Sequence, residues 1–144
     1  MASPDEVRAA IKVGQEALAE AIATASDNWE KSPSGGEGED AWSPRQVAEH
    51  VIPAEIYFAN AVCVACGYDG PESSITEDAK FATAADAQAA LEIVIAAANA
   101  KIKYVSAEDL SHAHDSMGSV ENVMRITAWH SLDHAMQINA AASS

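Results

Sequence analysis

The stretch that decides the fold is Ser119-Val-Glu-Asn-Val-Met-Arg-Ile-Thr-Ala-Trp-His-Ser-Leu-Asp-His-Ala-Met-Gln-Ile-Asn-Ala-Ala141. Ser119 is a good helix N-cap, and the residues after it predict a helix from 120 to about 141. Val123, Ile126, Thr127, His130, His134, Gln137, Ile138 and Ala141 recur at helical spacing and share one face, which is expected to point into a core. Two histidines four residues apart lie about 40° apart around a helix, with Cβ atoms roughly 6 Å apart, so both imidazoles can reach one ion.

Working outward, three more helices are predicted. Helix one runs from Pro4 to about Ser26, with Ser3 as N-cap, Pro4 in the first position and Glu6 completing a capping box. Its apolar residues are Val7, Ile11, Leu18 and Ile22. Helix two opens on Trp42-Ser43-Pro44-Arg45-Gln46, with Ser43 as N-cap and Gln46 reaching back to it, and runs to about Cys66, before Gly67. Pro53 lies inside it, removes one backbone hydrogen bond and is expected to bend it. Helix three fits residues 84 to 104, with Thr83 as N-cap and a stripe of Leu91, Val94, Ile95, Ala98 and Ile102. Residues 27 to 42, rich in Gly, Pro, Ser and acids, predict a solvated loop, and residues 106 to 118 predict a second connection. Four such helices in 144 residues predict an all-α four-helix bundle, one domain spanning 1–144.

Composition agrees with that class and excludes others. Apolar residues make up 49%, much of it alanine, and β-formers are too sparse for an all-β core. Against 22 acidic side chains stand only 8 basic ones, a net charge of −14. Such a surface repels phosphate backbones and anionic lipids, which argues against nucleic-acid and membrane partners. No apolar run is read as reaching the roughly 18 to 20 residues of a membrane span, and Met-Ala-Ser-Pro-Asp-Glu lacks the features of a signal peptide. The expectation is a cytoplasmic protein with both cysteines reduced.

Two histidines on a core-facing stripe need partners, because an apolar wall offers few. Either they ligate a metal, or they are core histidines held by hydrogen bonds. A third candidate, His50, lies on helix two with Val47, Val51, Ala54, Phe58 and Ala61, and is also expected to point inward. Neighbouring helices come within about 8 to 10 Å, so facing side chains can converge on one ion.

At this point the residues resemble a known family. Trp42-Ser43-Pro44 leading to His50, then His130-x-x-x-His134 followed by Gln137 and Ile138, is similar to the DinB-like (DinB/YfiT) superfamily of four-helix-bundle metalloenzymes, in order along nearly the whole chain. The resemblance implies an up-down-down-up bundle, a homodimer, and a divalent metal held by His50, His130 and His134. It also implies relatives in which the metal activates a low-molecular-weight thiol, such as mycothiol-dependent maleylpyruvate isomerase and bacillithiol transferases. This chain departs from the pattern in Pro53, three residues after His50, and in a glycine-rich acidic loop from Ser32 to Asp40.

Three neutral imidazoles leave an ion's charge largely uncompensated and its remaining positions open to water, thiol or substrate. Zn2+ is the expected metal, with Ni2+ or Fe2+ also suited to imidazole. Asp133, about 60° from His130 around the helix, is read either as a carboxylate orienting a ligand imidazole or as a plain surface acid. Glu49 is expected to be solvated or at an interface. Tyr57, Thr127 and Gln137 are placed on the inward faces, and Trp42 as a lid on the bundle end. Cys63-Val-Ala-Cys66 falls on the far side of helix two from His50 and is read as packing rather than redox chemistry. His112-Ala-His114 is read as solvated loop. The leading functional expectation is a metal-dependent transferase or hydrolase acting on a small molecule. The alternatives are a non-catalytic metal- or ligand-binding module and a purely structural bundle.

Overall fold

The computed structural model describes residues 2–144. Each helix starts where a side-chain oxygen meets an otherwise unpaired backbone N–H. Ser3, Ser43, Thr83 and Ser119 accept from the amides of Glu6, Gln46, Asp86 and Asn122. The helices are Pro4–Thr24 (α1), Pro44–Cys66 (α2), Ala84–Ile102 (α3) and Val120–Ala142 (α4). α2 has the full capping box and stops at Gly67, whose φ of 78° lets the amide of Tyr68 return to the carbonyl of Cys63. Pro53 is absorbed within a continuous helix.

Two buried clusters fix the helix directions. At one end Leu18 and Ile22 of α1 meet Val47 and Val51 of α2, Leu91 of α3 and Ile138 of α4. At the other end Val7, Val62, Ile102 and Met124 come together. The C-terminal halves of α1 and α4 therefore share an end with the N-terminal halves of α2 and α3, which is an up-down-down-up bundle. Around it the order is α1, α4, α2, α3. α2 and α3 are parallel neighbours, so the connection from 67 to 83 runs the length of the bundle.

Three expectations are corrected. α2 is long and apolar enough to cross a membrane by length and composition, although no stretch was expected to be. More than half of its apolar window is buried in the bundle, so here that surface packs against α3 and α4. The segment after α1 is not uniformly solvated. A turn at Ser26–Asn28 delivers Trp29 into the core, where its Nε1–H donates to the Phe81 carbonyl at 2.9 Å. The connection before α4 contains a short turn, Asp109–Ser111, and a two-residue antiparallel pair, Ala113–His114 (β1) with Gly118–Ser119 (β2).

α1 approaches α4 closely at Gly14. A Cβ there would stand 2.8 Å from the carbonyl oxygen of Ala128 and 3.2 Å from the Cβ of Ser131. At an open helix position Gly→Ala stabilises by about 1 kcal/mol. Here the neighbour is helix backbone and cannot yield cheaply, so Gly14→Ala is expected to lower the melting temperature, measured by circular dichroism.

Candidate metal centre

The site lies where the N-terminal half of α2 faces the C-terminal half of α4. The Nε2 of His130 is 3.3 Å from that of His50 and 3.2 Å from that of His134, and one donor nitrogen from each lies within 4.8 Å of the others. Metal–nitrogen bonds of about 2.0–2.1 Å at tetrahedral angles put ligand nitrogens about 3.3 Å apart. Both separations match that edge. Hydrogen bonding explains them less well, because His130 Nε2 carries at most one hydrogen and has two nitrogen neighbours. Three lone pairs around a cation satisfy all three rings together.

Protonation supports the lone pairs. Burial, and behind it the neighbouring His134 and His50, pull the pKa of His130 down to about 4. Burial and His134 also lower that of His50, against a small opposing effect of Glu39. The tautomer of His134 follows from a relay. Gln137 Nε2 donates to the carbonyl of Glu39 at 2.7 Å, which turns its Oε1 toward His134 Nδ1, also at 2.7 Å. An amide oxygen can only accept, so Nδ1 carries the hydrogen and Nε2 offers its lone pair to the centre.

The three rings are not equally enclosed. His134 is buried, His130 half-buried and His50 exposed. The inward placement expected for His50 is therefore corrected: the centre sits at the edge of the bundle. Val47, Val51 and Ala61 are buried as expected, but the buried side of α2 is centred on Ala48, Ile52, Glu55, Ala59 and Val62, and His50 lies on its flank. Two clefts flank His50. One, of about 330 Å3, has Pro53, Tyr57 and Phe58 in its wall with Glu77 and His130. The other, of about 300 Å3, is lined by Trp42, Gln46, Glu49 and Lys80. Trp42 stands directly against His50, with ring centroids 5.5 Å apart, and Phe58 stands edge-on to His130 at 5.3 Å.

Other candidates fall differently. Asp133 is exposed and makes no hydrogen bond to a ligand imidazole among the described residues; its offset around α4 turns it outward, and Gln137 holds His134 instead. Glu49 is largely buried rather than solvated. Its Oε2 accepts from Arg45 Nε at 3.0 Å and from the Phe81 amide at 2.7 Å. Tyr57 is exposed at a cleft rim, and Thr127 is buried with its hydroxyl on the Val123 carbonyl. The Cys66 thiol is pushed up to about 11 by burial first and then by Asp109, which suits packing rather than thiolate chemistry. His112 lies 3.4 Å from Asp109, and His114 Nδ1 accepts from the amides of Ser116 and Met117.

One important residue escaped the sequence reading. Glu55 is 2% exposed, accepting from Ser131 Oγ at 2.7 Å and from Gln15 Nε2 at 3.2 Å. Its signal was a charge in the middle of the apolar run of α2.

A family model described as the DinB superfamily matches residues 10–138. The chain belongs to the DinB superfamily. The matched span takes in all three histidines and most of the four helices, so this DinB chain carries its donor set inside the region that defines the family. Comparisons with curated proteins and with solved structures returned no match.

Two outcomes are expected. Replacing Gln137 by Leu frees the His134 tautomer and lowers zinc affinity by about 10- to 100-fold in a chelator competition, while Asp133→Asn leaves it unchanged. Burial raises the pKa of Glu55, against the lowering by its two hydrogen bonds. The folded chain then holds that proton to higher pH than the unfolded one. The resulting stability is fully present below the unfolded pKa of about 4.5 and is lost as pH rises through the folded value. Glu55→Gln removes that loss, so its gain in melting temperature over the wild type is larger at pH 8 than at pH 5.

Proposed function

We propose that this DinB protein is a metal-dependent enzyme acting on a small molecule, with a divalent ion, Zn2+ first, held by His50, His130 and His134. The observation that supports it best is a set of three donor nitrogens within 4.8 Å of one another, two of their separations at ligand spacing, with open clefts beside it. Among the described residues no fourth His, Cys, Asp or Glu ligand joins the three. Structural zinc sites are closed by four protein ligands, whereas catalytic ones keep a position free.

When bound, the ion supplies Lewis acidity that favours the deprotonated form of a thiol or water placed against it. The chain's own groups do the rest. Pro53 and Phe58 give the larger cleft an apolar wall that displaces water from a seated substrate. Glu49 is committed to Arg45 and the Phe81 amide and is unsuited to proton transfer. Glu77, in the wall of the same cleft, has no hydrogen-bond or ion-pair partner among the described residues, which supports a proton-accepting role for it. The reaction class we favour is transfer to or from a low-molecular-weight thiol. Homodimerisation belongs to the same proposal, supported by the exposed Trp129, Leu132 and Met136 along one side of α4.

Elemental analysis of protein purified without chelators or nickel resin is expected to give about one divalent ion per chain, and His50→Ala and His134→Ala to lose most of it. Equal, low metal in all three would sink the centre. Full metal with no turnover across a panel of thiols and electrophiles would leave a metal-binding module rather than an enzyme.

A further inference from the structure

The face opposite the histidines is also indented. Around the ring of helices, α2 and α4 flank the metal centre, while α1 and α3 border the far side. Between α1 and α3 lies a groove of about 440 Å3, within the range of small-molecule pockets. Ile11, Ala19, Ile95 and Ile102 form its walls. The residues of α1 that line it run from Arg8 to Ala19, about 16 Å of helix at 1.5 Å per residue.

The groove is polarised along its length. Arg8 and Lys12, near the start of α1, meet Lys103, just past the end of α3, at one end. Ala19 and Ile95 line the other end, and the one carboxylate of the lining, Glu16, stands one turn before Ala19. Three of only 8 basic side chains therefore gather at one mouth of a chain with 22 acids. They are not equally free. Arg8 is tied to Asp5 and to the carbonyls of Ile102 and Val105, and Lys12 lies 3.9 Å from Glu16. Lys103 has no carboxylate partner among the described residues and lies over the Tyr104 ring. Midway, the side-chain amide of Asn99 faces the groove without a hydrogen-bond partner among the described residues. Gln15, 4% exposed, lines the floor with its Nε2 committed to Glu55.

We infer that this groove binds a small amphipathic anion: a carboxylate or similar head beside Lys12 and Lys103, with an apolar tail of about ten carbons lying toward Ala19 and Ile95. The excess of basic groups in the lining, Arg8, Lys12 and Lys103 against Glu16 alone, favours this occupant. A cationic amphiphile would meet that excess in either orientation, and a wholly apolar one would leave the Lys103 end unused. The inference does not depend on the metal centre, which lies across the bundle.

The test uses sodium decanoate as probe, followed by amide chemical shifts of the 15N-labelled chain, with decyltrimethylammonium as the matched cation. Saturable shifts at residues 8–19 and 95–103 with decanoate, and binding at least about tenfold weaker for the cation, are expected. Ile95→Trp fills the groove and is expected to abolish the shifts. Lys12→Glu/Lys103→Glu leaves the walls intact and is expected to weaken decanoate by about tenfold or more. Far-UV circular dichroism and metal content of both variants serve as the folding check. The idea is overturned if decanoate causes no saturable shift there, or if the cation binds as well. It also fails if the shifts vanish in His134→Ala, which would place the carboxylate on the metal instead. Sedimentation that shows a dimer dissociated by Ile95→Trp would assign the groove to a second copy of the chain and would likewise overturn the inference.

Discussion

The short hydrogen bond from Ser131 to Glu55 sets the register on which the histidine centre depends. It joins α4 to α2 inside the core, at 2.7 Å between two nearly inaccessible side chains. His50 stands five residues before Glu55, and His134 three residues after Ser131. The two helices run in opposite directions, so both displacements lead toward the same end of the bundle. A slip of one turn would move one helix by about 5.4 Å past the other, far more than nitrogen separations of 3.2 and 3.3 Å tolerate. A buried carboxylate is costly unless it is hydrogen-bonded, and both oxygens of Glu55 are. Because its second partner, Gln15, sits on α1, one side chain ties three helices. Gly14, beside it, lets α1 and α4 come close enough for that tie to form.

A second tie shapes the mouth of the centre. The peptide of Phe81 is held from both sides: its amide donates to Glu49 of α2, and its carbonyl accepts from Trp29 in the preceding connection. Arg45 completes the arrangement, with its side chain on Glu49 and Glu30 and its amide on the Trp29 carbonyl. The long connection that returns from α2 to α3 is thereby anchored beside His50, and with it Glu77 and Lys80 in the walls of the two clefts. Residues with no ligand role thus build the surface on which a substrate would rest.

This division explains what could be read in advance. Helix starts are local events: Ser3, Ser43, Thr83 and Ser119 each find a partner three residues on, and a linear sequence displays that spacing directly. The histidine set was legible for a similar reason in α4, where His130 and His134 share a face by periodicity, and through family resemblance in α2. Burial of Glu55 was not legible. Its partners are 40 and 76 residues away, and its burial centres the inward side of α2 away from His50, although Val47, Val51 and Ala61 are buried as expected. His50, next to that buried side, stands at the rim. Asp133 could be read either as orienting an imidazole or as a surface acid; it faces water, and Gln137, on the next turn, meets His134 instead. Glu49 needed the position of Phe81, which no local pattern contains.

The gradient of enclosure across the three rings bears on what the centre is for. His134 is buried and its tautomer is set by an amide whose own orientation is fixed by a backbone carbonyl, so this donor is preorganised. His130, packed edge-on against Phe58, is kept neutral by its surroundings down to about pH 4. His50 faces solvent with only Trp42 against it on that side. A site evolved solely to brace the fold gains nothing from a donor left at the surface, because water competes there and, among the described residues, no fourth His, Cys, Asp or Glu ligand completes the shell. A site that exchanges small molecules needs that asymmetry: two donors locked in the protein, one at the rim, and room beside it on both sides. The neutral imidazoles would also leave the full charge of a divalent ion uncancelled in a chain of net charge −14. An ion held there would be a local reversal of the surface field, and a small thiolate or carboxylate would be drawn to that side of the bundle by it.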